Sequence, residues 1–336
     1  METEKTDIIV IGAGPVGLFT VFQAGMLNMK CHVIDALPDI GGQCSALYPE
    51  KPIYDIPSRP MVSGGDLITE LQAQAAPFSP TYHLNQQVVM VKKSDDGWDV
   101  ETSAGVKLTA KAIIIAAGAG AFGPNRPPVQ NLTEFENKSV FYMVRKRDDF
   151  VGKHIVIAGG GDSAVDWAVS LFNIAKKITV IHRRDKFRAM PDMVAKMNDL
   201  ATNNPDKMEI LTPYQLHELH GDNGQLNTVT LKSMDDDIRD IDADYLLAFY
   251  GLVPNLGPIA EWGLNLNAQS ITVNQSTCET NQPSIYAVGD IASYDKKLKL
   301  ILTGFAEAAS ACHDAYRYIY PDKALHFEYS TSRGVK

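Results

Sequence analysis

One spacing repeats in this sequence, and it restricts the possible folds more than any other feature. An apolar run leads into a glycine turn at Gly12, a helical segment follows, and a second apolar run ends at Asp35. The same order recurs between Gly159 and His182, and both intervals span 23 residues. A strand, a glycine turn, a helix and a second strand form a βαβ unit. Two such units in one register predict an α/β chain with two Rossmann-like domains, each of three layers in ββα order.

Two stretches rich in proline and glycine divide the chain. Residues 123–128 follow one apolar run, and residues 250–255 follow another. Such stretches are typical of hinges, and two hinges imply that one domain is inserted into the other. The sequence therefore predicts a discontinuous domain over residues 1–120 and 252–336, with a second domain inserted over residues 121–251.

The composition limits the classes of function. Hydrophobic residues make up 45% of the 336 residues, which is enough for a folded core in each of two domains. A formal net charge of −9 argues against general nucleic-acid binding. No apolar run reaches the roughly 20 residues of a membrane span, and we expect neither a membrane anchor nor a signal peptide. Four cysteines without CxxC spacing favour unpaired thiols in a reducing cytoplasm, and they are Cys31, Cys44, Cys278 and Cys312.

The first glycine turn carries Gly12, Gly14 and Gly17 at the start of a helix, and Asp35 ends the strand that follows. At such a turn, backbone N–H groups and the helix dipole face a bound pyrophosphate. Side chains at the turn would block the approach of the pyrophosphate. A carboxylate at the end of the second strand is placed to bind ribose hydroxyls. These residues predict a dinucleotide site. The alternative is a tight turn that needs glycine only for its positive φ angles.

The second glycine turn carries Gly159, Gly161 and Ser163, but its unit ends differently. His182 stands in the place of Asp35. It is followed by three arginines, Arg183, Arg184 and Arg188. A carboxylate there would repel a 2′-phosphate, whereas guanidinium groups bind one through charge-assisted, bidentate hydrogen bonds. The second nucleotide is therefore predicted to be NADP(H), and the alternative is a solvated basic run at the end of a strand.

Together these motifs resemble the thioredoxin-reductase-like flavoproteins over essentially the whole chain. The resemblance rests on the first glycine turn, the GGGDSA turn at 159–164, the basic run at 182–189 and the AVGD run at 287–290. Thioredoxin reductases carry a CxxC pair just before the second glycine turn, and here residues 141–147 contain no cysteine. That difference removes the dithiol relay that passes electrons from flavin to thioredoxin.

A closer resemblance is to the thioredoxin-reductase-like subgroup of ferredoxin–NADP⁺ reductases, which lack that pair. The loop at residues 41–51 and the tail at residues 329–332 are similar to those of the subgroup. The resemblance implies FAD and NADP(H) as cofactors. It implies that Tyr48 stacks on one face of the flavin and Tyr329 on the other. It further implies FAD contacts at Asp35, Gln43, Tyr48, Val88, Phe122, Asp290 and Thr331.

Each of these positions also has a plainer interpretation. Tyr48 and Phe122 are aromatic residues of a kind that commonly fills a protein core. Thr331 lies in a terminal segment, and such segments are often frayed. Asp290 precedes further structure and is suited to cap it.

The resemblance implies a reaction in which the cofactor carries the chemistry. Hydride passes between NADP(H) and N5 of FAD, and single electrons pass between the flavin and a ferredoxin, which is an iron–sulfur protein. No side chain is needed as an acid or base, and no metal site is expected. The two hinges would permit one domain to rotate on the other. The subgroup also implies a homodimer.

Two features bear on the acceptor of the electrons. Ferredoxins of this type are acidic, so the basic cluster of Arg145, Lys146 and Arg147 is a candidate docking patch, and a solvated loop is the alternative. Cys44 lies within the flavin loop, but a lone cysteine cannot form an internal disulfide, so we expect no thiol in turnover. Two other functions stay open: an NADPH diaphorase or flavodoxin reductase on the same scaffold, and a redox sensor that binds FAD and NADPH without useful turnover.

Overall fold

The computed structural model describes residues 3–325, and these divide into two compact units. One unit comprises the described residues of Met1–Phe122 and Pro254–Lys336, and the other is Gly123–Val253. The chain passes between them through two strands that pair with each other, Ala121–Pro124 and Leu252–Asn255.

The first unit is built on a seven-stranded mixed sheet. Its central strands are apolar along most of their length, as strands covered on both faces must be. From one edge, the order is Thr81–His83, Cys31–Ile34, Glu4–Ile11, Lys107–Ile115, Gly97–Thr102 and Val88–Ser94, and Ile285–Ala287 also pairs with Lys107–Ile115.

The long strand Lys107–Ile115 is the branch point of this sheet. Along one edge it runs parallel to Glu4–Ile11. On its other edge, its first half pairs antiparallel with Gly97–Thr102 and its second half pairs parallel with Ile285–Ala287. Toward its end, Lys107–Ile115 therefore has parallel neighbours on both edges, as in a Rossmann-like sheet. Toward its start, one of its edges joins an antiparallel meander.

The alternation of side chains along the first strand produces three layers. Ile8 and Val10 share a cluster with residues of the helices Pro15–Met26 and Ile301–Ile319. Ile9 and Ile11 point the other way and share a cluster with Trp98 of the meander. Successive residues of a strand face opposite sides, so both faces of this strand are buried.

Shorter elements complete the first unit. The helix Gly64–Ala75 begins at Ser63, whose hydroxyl accepts a hydrogen bond from the Asp66 amide at 3.1 Å, as an N-cap does. The remaining helices and strands are Gln43–Ala46, Pro52–Ile53, Val62–Ser63, Leu266–Asn267, Ser270–Thr272 and Ala292–Ser293, with 3₁₀ turns at Ala76–Phe78, Gly257–Glu261 and Gly289–Ile291.

The second unit repeats the plan with a parallel sheet of five strands. Their order is Val140–Phe141, Tyr245–Ala248, His154–Ala158, Lys177–Ile181 and Met208–Leu211. An antiparallel sheet of three strands lies in the same unit, and its strands are Tyr214–Asp222, Gln225–Ser233 and Ile238–Asp242. The helices are Leu132–Phe135, Asp162–Leu171 and Pro191–Asn203, with a 3₁₀ turn at Arg147–Phe150. The predicted class, α/β with two Rossmann-like units, is confirmed.

Within residues 3–325, none of the helices combines the length and the apolar character that crossing a membrane requires.

Candidate nucleotide-binding sites

The first glycine turn is fixed by the strands around it. The Gly12 amide donates to the Ile34 carbonyl at 2.8 Å, and the Ala116 amide donates to the Ile11 carbonyl at 2.8 Å. Gly12 has a φ angle of +111°, and a Cβ atom there would lie 2.4 Å from the Ala116 oxygen. Only glycine satisfies both constraints without displacing the neighbouring strand.

The three glycines of this turn have different surroundings. A Cβ atom at Gly17 would lie 1.9 Å from the Gly12 oxygen, so Gly17 lets the helix pack against the turn. At Gly14 the only near atom of the described residues is the Cα of Gly42, at 3.9 Å. The N-terminus of the helix Pro15–Met26 is thus left open beside Gly14, and a phosphate group fits such a cradle. Gly17 was predicted among the cofactor contacts, and its role in the structure is to let the helix pack closely against the turn.

Asp35 connects the end of the second strand to this turn. Its Oδ2 accepts a hydrogen bond from the Ala13 amide at 2.6 Å, and its Oδ1 accepts one from the Leu37 amide at 2.8 Å. Burial raises the pKa of the Asp35 carboxyl, and the two amide hydrogen bonds act against that shift. The carboxylate therefore stabilises the turn while lining the cleft beside it.

A cleft of about 290 Å³ opens in front of the turn, entirely within the first unit. It brings together seven of the predicted FAD contacts: Gly12, Gly14, Asp35, Gln43, Tyr48, Val88 and Asp290. Sequence reasoning missed other lining residues that belong to no motif, among them Gln86, Gln87, Trp262, Leu300 and Ile301. The cleft therefore gathers segments that are as much as about 290 positions apart in the chain.

Trp262 gives this cleft an unused hydrogen-bond donor. Its indole Nε1 is buried and has no hydrogen-bond partner among the described residues. Buried donors without a partner are rare, because each forfeits its bond to water. The Trp262 ring lines the cleft, but its Nε1 is closed to an atom of the size of water, so an acceptor of a dinucleotide reaches it only if the ring turns. The open turn at Gly14 fits the pyrophosphate of a bound FAD.

Tyr48 and Cys44 lie together at the flavin loop. The Cys44 thiol is 3.9 Å from the Tyr48 hydroxyl, to which it donates. Burial raises the pKa of Cys44 to about 11 and also raises the pKa of Tyr48. Both groups are therefore protonated at neutral pH, and Cys44 lacks the thiolate character of a reactive cysteine.

A buried ion pair supports the wall of the cleft around Asp290. The Glu307 carboxylate accepts hydrogen bonds from Lys297, from the Tyr294 hydroxyl at 2.6 Å and from the Gly289 amide at 2.7 Å. The side chains of Lys297 and Glu307 are only 5% and 6% exposed. Burial raises the pKa of Asp290, whereas Lys299 and Lys297 lower it. Glu307 was not predicted, although it is a single acid in a helix segment rich in small residues.

The second glycine turn repeats two backbone hydrogen bonds of the first. The Gly159 amide donates to the Ile181 carbonyl at 3.1 Å, and the Phe249 amide donates to the Ala158 carbonyl at 2.8 Å. A Cβ atom at Gly161 would meet no atom of residues 3–325 within 4 Å. The start of the helix Asp162–Leu171 is therefore open to an anion, as the helix beside Gly14 is.

The loop after the second strand folds back onto this turn. The His182 ring lies over Gly160, where a Cβ atom would be 2.2 Å from the ring Cε1. The Arg188 amide donates to the Gly160 carbonyl at 2.7 Å, and the Met190 amide donates to Oδ1 of Asp162 at 2.9 Å. The structure therefore brings the predicted basic run onto the predicted glycine turn.

The predicted NADP(H) contacts beyond the turn are exposed, and they are Ser163, Arg183, Arg184 and Arg188. The pKa of His182 is lowered by its burial and then by the positive charges of Arg183, Arg184 and Arg188. All three arginines therefore act electrostatically on one imidazole ring. Such a cluster at the end of the second strand fits a phosphate ester.

The basic cluster proposed for docking is only partly available. Arg145 and Lys146 are exposed, but Nη2 of Arg147 donates to the Ser170 carbonyl at 2.7 Å. Ser170 lies in the last turn of the helix Asp162–Leu171, where carbonyl groups lack partners and a cation is stabilised. Arg147 therefore serves this helix end, which the run of charges in the sequence did not reveal.

Three predicted residues are not described in full. Tyr329 and Thr331 lie outside the described residues. Phe122 lies in the strand Ala121–Pro124, and its side chain is outside the description. Across residues 3–325, no group of three or more His, Cys, Asp or Glu side chains is placed to hold a metal ion.

Comparisons with known proteins show the family and the fold of the chain. The profile of the pyridine nucleotide-disulphide oxidoreductase family matches residues 6–311. The chain is 57% identical over 331 residues to the ferredoxin–NADP reductase of Rickettsia conorii, covering 98% of this chain and 97% of that protein. It is 56% identical over 335 residues to the ferredoxin–NADP reductase of Rhodospirillum rubrum, covering 98% and 96%. A thioredoxin reductase of Lactococcus lactis has the same fold, with a TM-score of 0.80, 23% identity, and 94% and 99% of the two chains covered.

Proposed function

The chain belongs to the pyridine nucleotide-disulphide oxidoreductase family, and from this premise we propose that it is a ferredoxin–NADP reductase that uses FAD and NADP(H). The observation that carries the proposal is 57% identity to a ferredoxin–NADP reductase over 98% of the chain. Two open glycine turns, at Gly14 and Gly161, support the use of two nucleotides.

The first unit holds FAD in this proposal. Bound FAD supplies the chemistry, since it exchanges a hydride with NADP(H) and single electrons with an iron–sulfur protein. The start of the helix beside Gly14 would bind its pyrophosphate, Gly12 would shape the turn, and Asp35 would orient the adenosine ribose. Gly17 lets the helix approach the turn. Further contacts are proposed for Gln43, Tyr48, Val88, Phe122, Asp290 and Thr331, and Tyr48 and Tyr329 are proposed to flank the flavin ring.

The second unit binds NADP(H). Gly159, Gly161 and Ser163 surround the pyrophosphate at the start of the helix, and the three arginines bind the 2′-phosphate. We therefore assign FAD to residues 1–120 and 252–336 and NADP(H) to residues 121–251. The protein's own task is to bind and orient the two nucleotides, because no side chain in either site is needed as an acid or base.

The cysteines support delivery of electrons without a thiol relay. All four are free and buried, and none of them is in CxxC spacing. Burial raises the pKa of Cys31 and Cys278 to about 12, that of Cys44 to about 11, and also raises that of Cys312. Thiols of this kind are poor nucleophiles at neutral pH. Buried reduced cysteines also suit the cytoplasm, which we propose as the location.

The acceptor is proposed to be a ferredoxin or a flavodoxin. Arg145 and Lys146 are its proposed contacts on the second unit, since both side chains are exposed on an otherwise acidic chain. Arg147 contributes less to this patch because it donates to the Ser170 carbonyl. We further propose that the protein is a homodimer.

Steady-state reduction of cytochrome c by NADPH, with and without added ferredoxin, tests this function. A strong dependence on ferredoxin is expected, and equal rates without it would identify a diaphorase.

The purified protein should be yellow, with about one non-covalent FAD per chain. Stopped-flow mixing with NADPH should bleach the flavin rapidly, and failure to bleach would favour a sensor that binds without turnover. A variant with all four cysteines replaced by Ser or Ala should keep ferredoxin reduction within a few-fold.

A further inference from the structure

The loop that carries the arginines is attached to the second glycine turn at three points. The His182 ring covers Gly160, and the Arg188 amide donates to the Gly160 carbonyl at 2.7 Å. The third attachment joins the Met190 amide to Oδ1 of Asp162 at 2.9 Å. Only this third attachment uses a side chain as the hydrogen-bond acceptor, and no motif in the sequence predicted a role for Asp162.

A carboxylate performs the corresponding task in the first unit, but from the opposite side. There Asp35 follows the second strand and accepts a hydrogen bond from Ala13, within the glycine turn. In the second unit the acid stands at the start of the helix, and the amide comes from the loop beyond the second strand. The attachment is kept while negative charge is removed from the end of the strand, where it would repel a 2′-phosphate.

Asp162 is an unexpected residue for an anion-binding turn. It is exposed and is the first residue of the helix Asp162–Leu171, directly after the open Gly161. Its charge repels a nucleotide phosphate, although the helix dipole stabilises a carboxylate at this position. Direct binding of the coenzyme therefore does not explain its presence, whereas attachment of the arginine loop does.

We propose that Asp162 is a positioning residue for coenzyme choice, which holds the 183–190 loop on the glycine turn so that its arginines meet the 2′-phosphate of NADP(H). The proposal rests on the proposed use of NADP(H) and adds a residue that determines its specificity. Asp162 acts through the Met190 amide, and it does not touch the reacting atoms.

Two substitutions separate the hydrogen bond from the charge. Asp162→Asn keeps a carbonyl oxygen that accepts from Met190 and removes the charge, whereas Asp162→Ala removes both. Asp185→Ala is the matched control, because Asp185 is an exposed acid in the same loop. Electrostatics alone predicts that each substitution tightens phosphate binding, since each removes a negative charge. Positioning predicts the reverse for Asp162→Ala only.

Binding of 2′,5′-ADP, measured by calorimetry, gives a readout that does not depend on turnover. We expect Asp162→Ala to weaken binding by about tenfold, as loss of one charge-assisted hydrogen bond implies. The ratio of kcat/KM for NADPH to that for NADH should fall by a similar factor, with NADH itself little changed. Asp162→Asn and Asp185→Ala should bind 2′,5′-ADP as tightly as the wild type, or more tightly.

Hydrogen exchange of the 183–190 segment completes the test. Exchange should accelerate in Asp162→Ala and stay near the wild-type rate in Asp162→Asn, while the FAD content of both variants is unchanged. Unchanged exchange, or unchanged or tighter binding of 2′,5′-ADP by Asp162→Ala, would overturn the proposal. Failure of Asp162→Asn to restore both readouts would do so as well. A wild-type enzyme that used NADH as well as NADPH would instead contradict the proposed function.

Discussion

In both units, the amide of the first turn glycine donates to the carbonyl of the residue that ends the second strand. The donors are Gly12 and Gly159, and the acceptors are Ile34 and Ile181. The residue after that carbonyl differs, since it is the buried carboxylate Asp35 in one unit and the imidazole His182, beside three arginines, in the other. One backbone hydrogen bond therefore recurs in both units, and we propose that the side chains at the strand end distinguish the nucleotides.

The support of the two sites differs as well. In the first unit, Lys297 and Glu307 are buried, and Glu307 binds the Gly289 amide next to Asp290. In the second unit, the arginine loop is held by an exposed acid, Asp162, and by main-chain contacts. A site held by buried charges tolerates substitution poorly, whereas a site held at the surface changes its affinity with less change in the stability of the fold.

The largest effect is expected from breaking the buried support of the first unit. Lys297→Met leaves the Glu307 carboxylate buried without its cation, and this lowers the free energy of unfolding by about 3–5 kcal/mol. Urea unfolding of the apo-protein measures the loss. Lys5→Met is the control, since Lys5 and Asp96 form an ion pair whose side chains are 72% and 58% exposed, and little change is expected there.

The double variant Lys297→Met with Glu307→Gln sharpens this prediction. It removes both charges, so most of the lost stability should return, because the penalty arises from an uncompensated charge rather than from the missing pair. If Lys297→Met alone were as stable as the wild type, the pair of Lys297 and Glu307 would not support the cleft of the first unit.

The second largest effect concerns the arginines of the second unit. Replacing Arg183 and Arg184 together by Gln should lower kcat/KM for NADPH. The loss should correspond to about 2–4 kcal/mol of transition-state binding free energy, as loss of two charge-assisted contacts implies. NADH should be affected far less, and the FAD content should not change. Lys196→Gln, an exposed position on the helix Pro191–Asn203, is the control. Equal losses with both coenzymes would show that these arginines do not read the 2′-phosphate.

A smaller effect is expected at Trp262, where stability of the apo-protein and affinity for FAD should change in opposite directions. Trp262→Phe removes a buried N–H group that has no partner in the described residues, so the apo-protein should become slightly more stable. If that N–H group binds FAD, the Kd for FAD should rise by about tenfold. Reconstitution of the apo-protein, followed by flavin fluorescence, measures the Kd.

Trp98→Phe is the matched control for Trp262. The Trp98 indole donates to the Ser284 hydroxyl at 2.9 Å, so its loss should destabilise the apo-protein and leave the Kd for FAD unchanged. Identical behaviour of the two variants would contradict the assignment of Trp262 to the cofactor.

Much of the fold, and part of the candidate sites, could be predicted from the sequence. The equal spacing from Gly12 to Asp35 and from Gly159 to His182 was sufficient for two βαβ units, because local hydrogen bonds determine that geometry. The same register places Asp35 beside the first turn and the basic run beside the second. The hydrogen bond from Ala13 to Asp35 was not predicted, and the ribose and phosphate contacts of these residues stay predictions.

Residues whose roles depend on distant segments were not predictable. Trp262 reaches the cleft from a 3₁₀ turn that carries no motif, and Glu307 meets Gly289 only because a helix packs against a separate turn. Arg147 belonged to a basic run that suggested a docking patch, yet its guanidinium binds the Ser170 carbonyl. Charge runs and lone polar residues do not reveal their partners when those partners are chosen by tertiary packing.

The smallest expected effect is a difference in pH dependence between Asp35 and His182. Burial raises the pKa of Asp35, so its contribution to stability is present below the unfolded value near 3.8 and is lost as pH rises through the folded pKa. The pKa of His182 is lowered by burial and by Arg183, Arg184 and Arg188, so its contribution is present above the unfolded value of 6.5 and is lost as pH falls below it. The two strand ends therefore respond to pH with opposite sign and in different ranges.

Titration of the His182 ring by NMR checks this directly in the second unit. The pKa should lie below 6.5 in the free protein, and it should rise in Arg183→Gln because one of the repelling charges is removed. Binding of 2′,5′-ADP to the wild type should also raise the pKa of His182, since a phosphate placed among the arginines favours the imidazolium. By linkage, 2′,5′-ADP then binds more tightly as the pH falls toward the pKa of His182. A His182 pKa that 2′,5′-ADP leaves unchanged would mean that the phosphate does not bind beside this ring, and the contrast between the two strand ends would not be the basis of coenzyme choice.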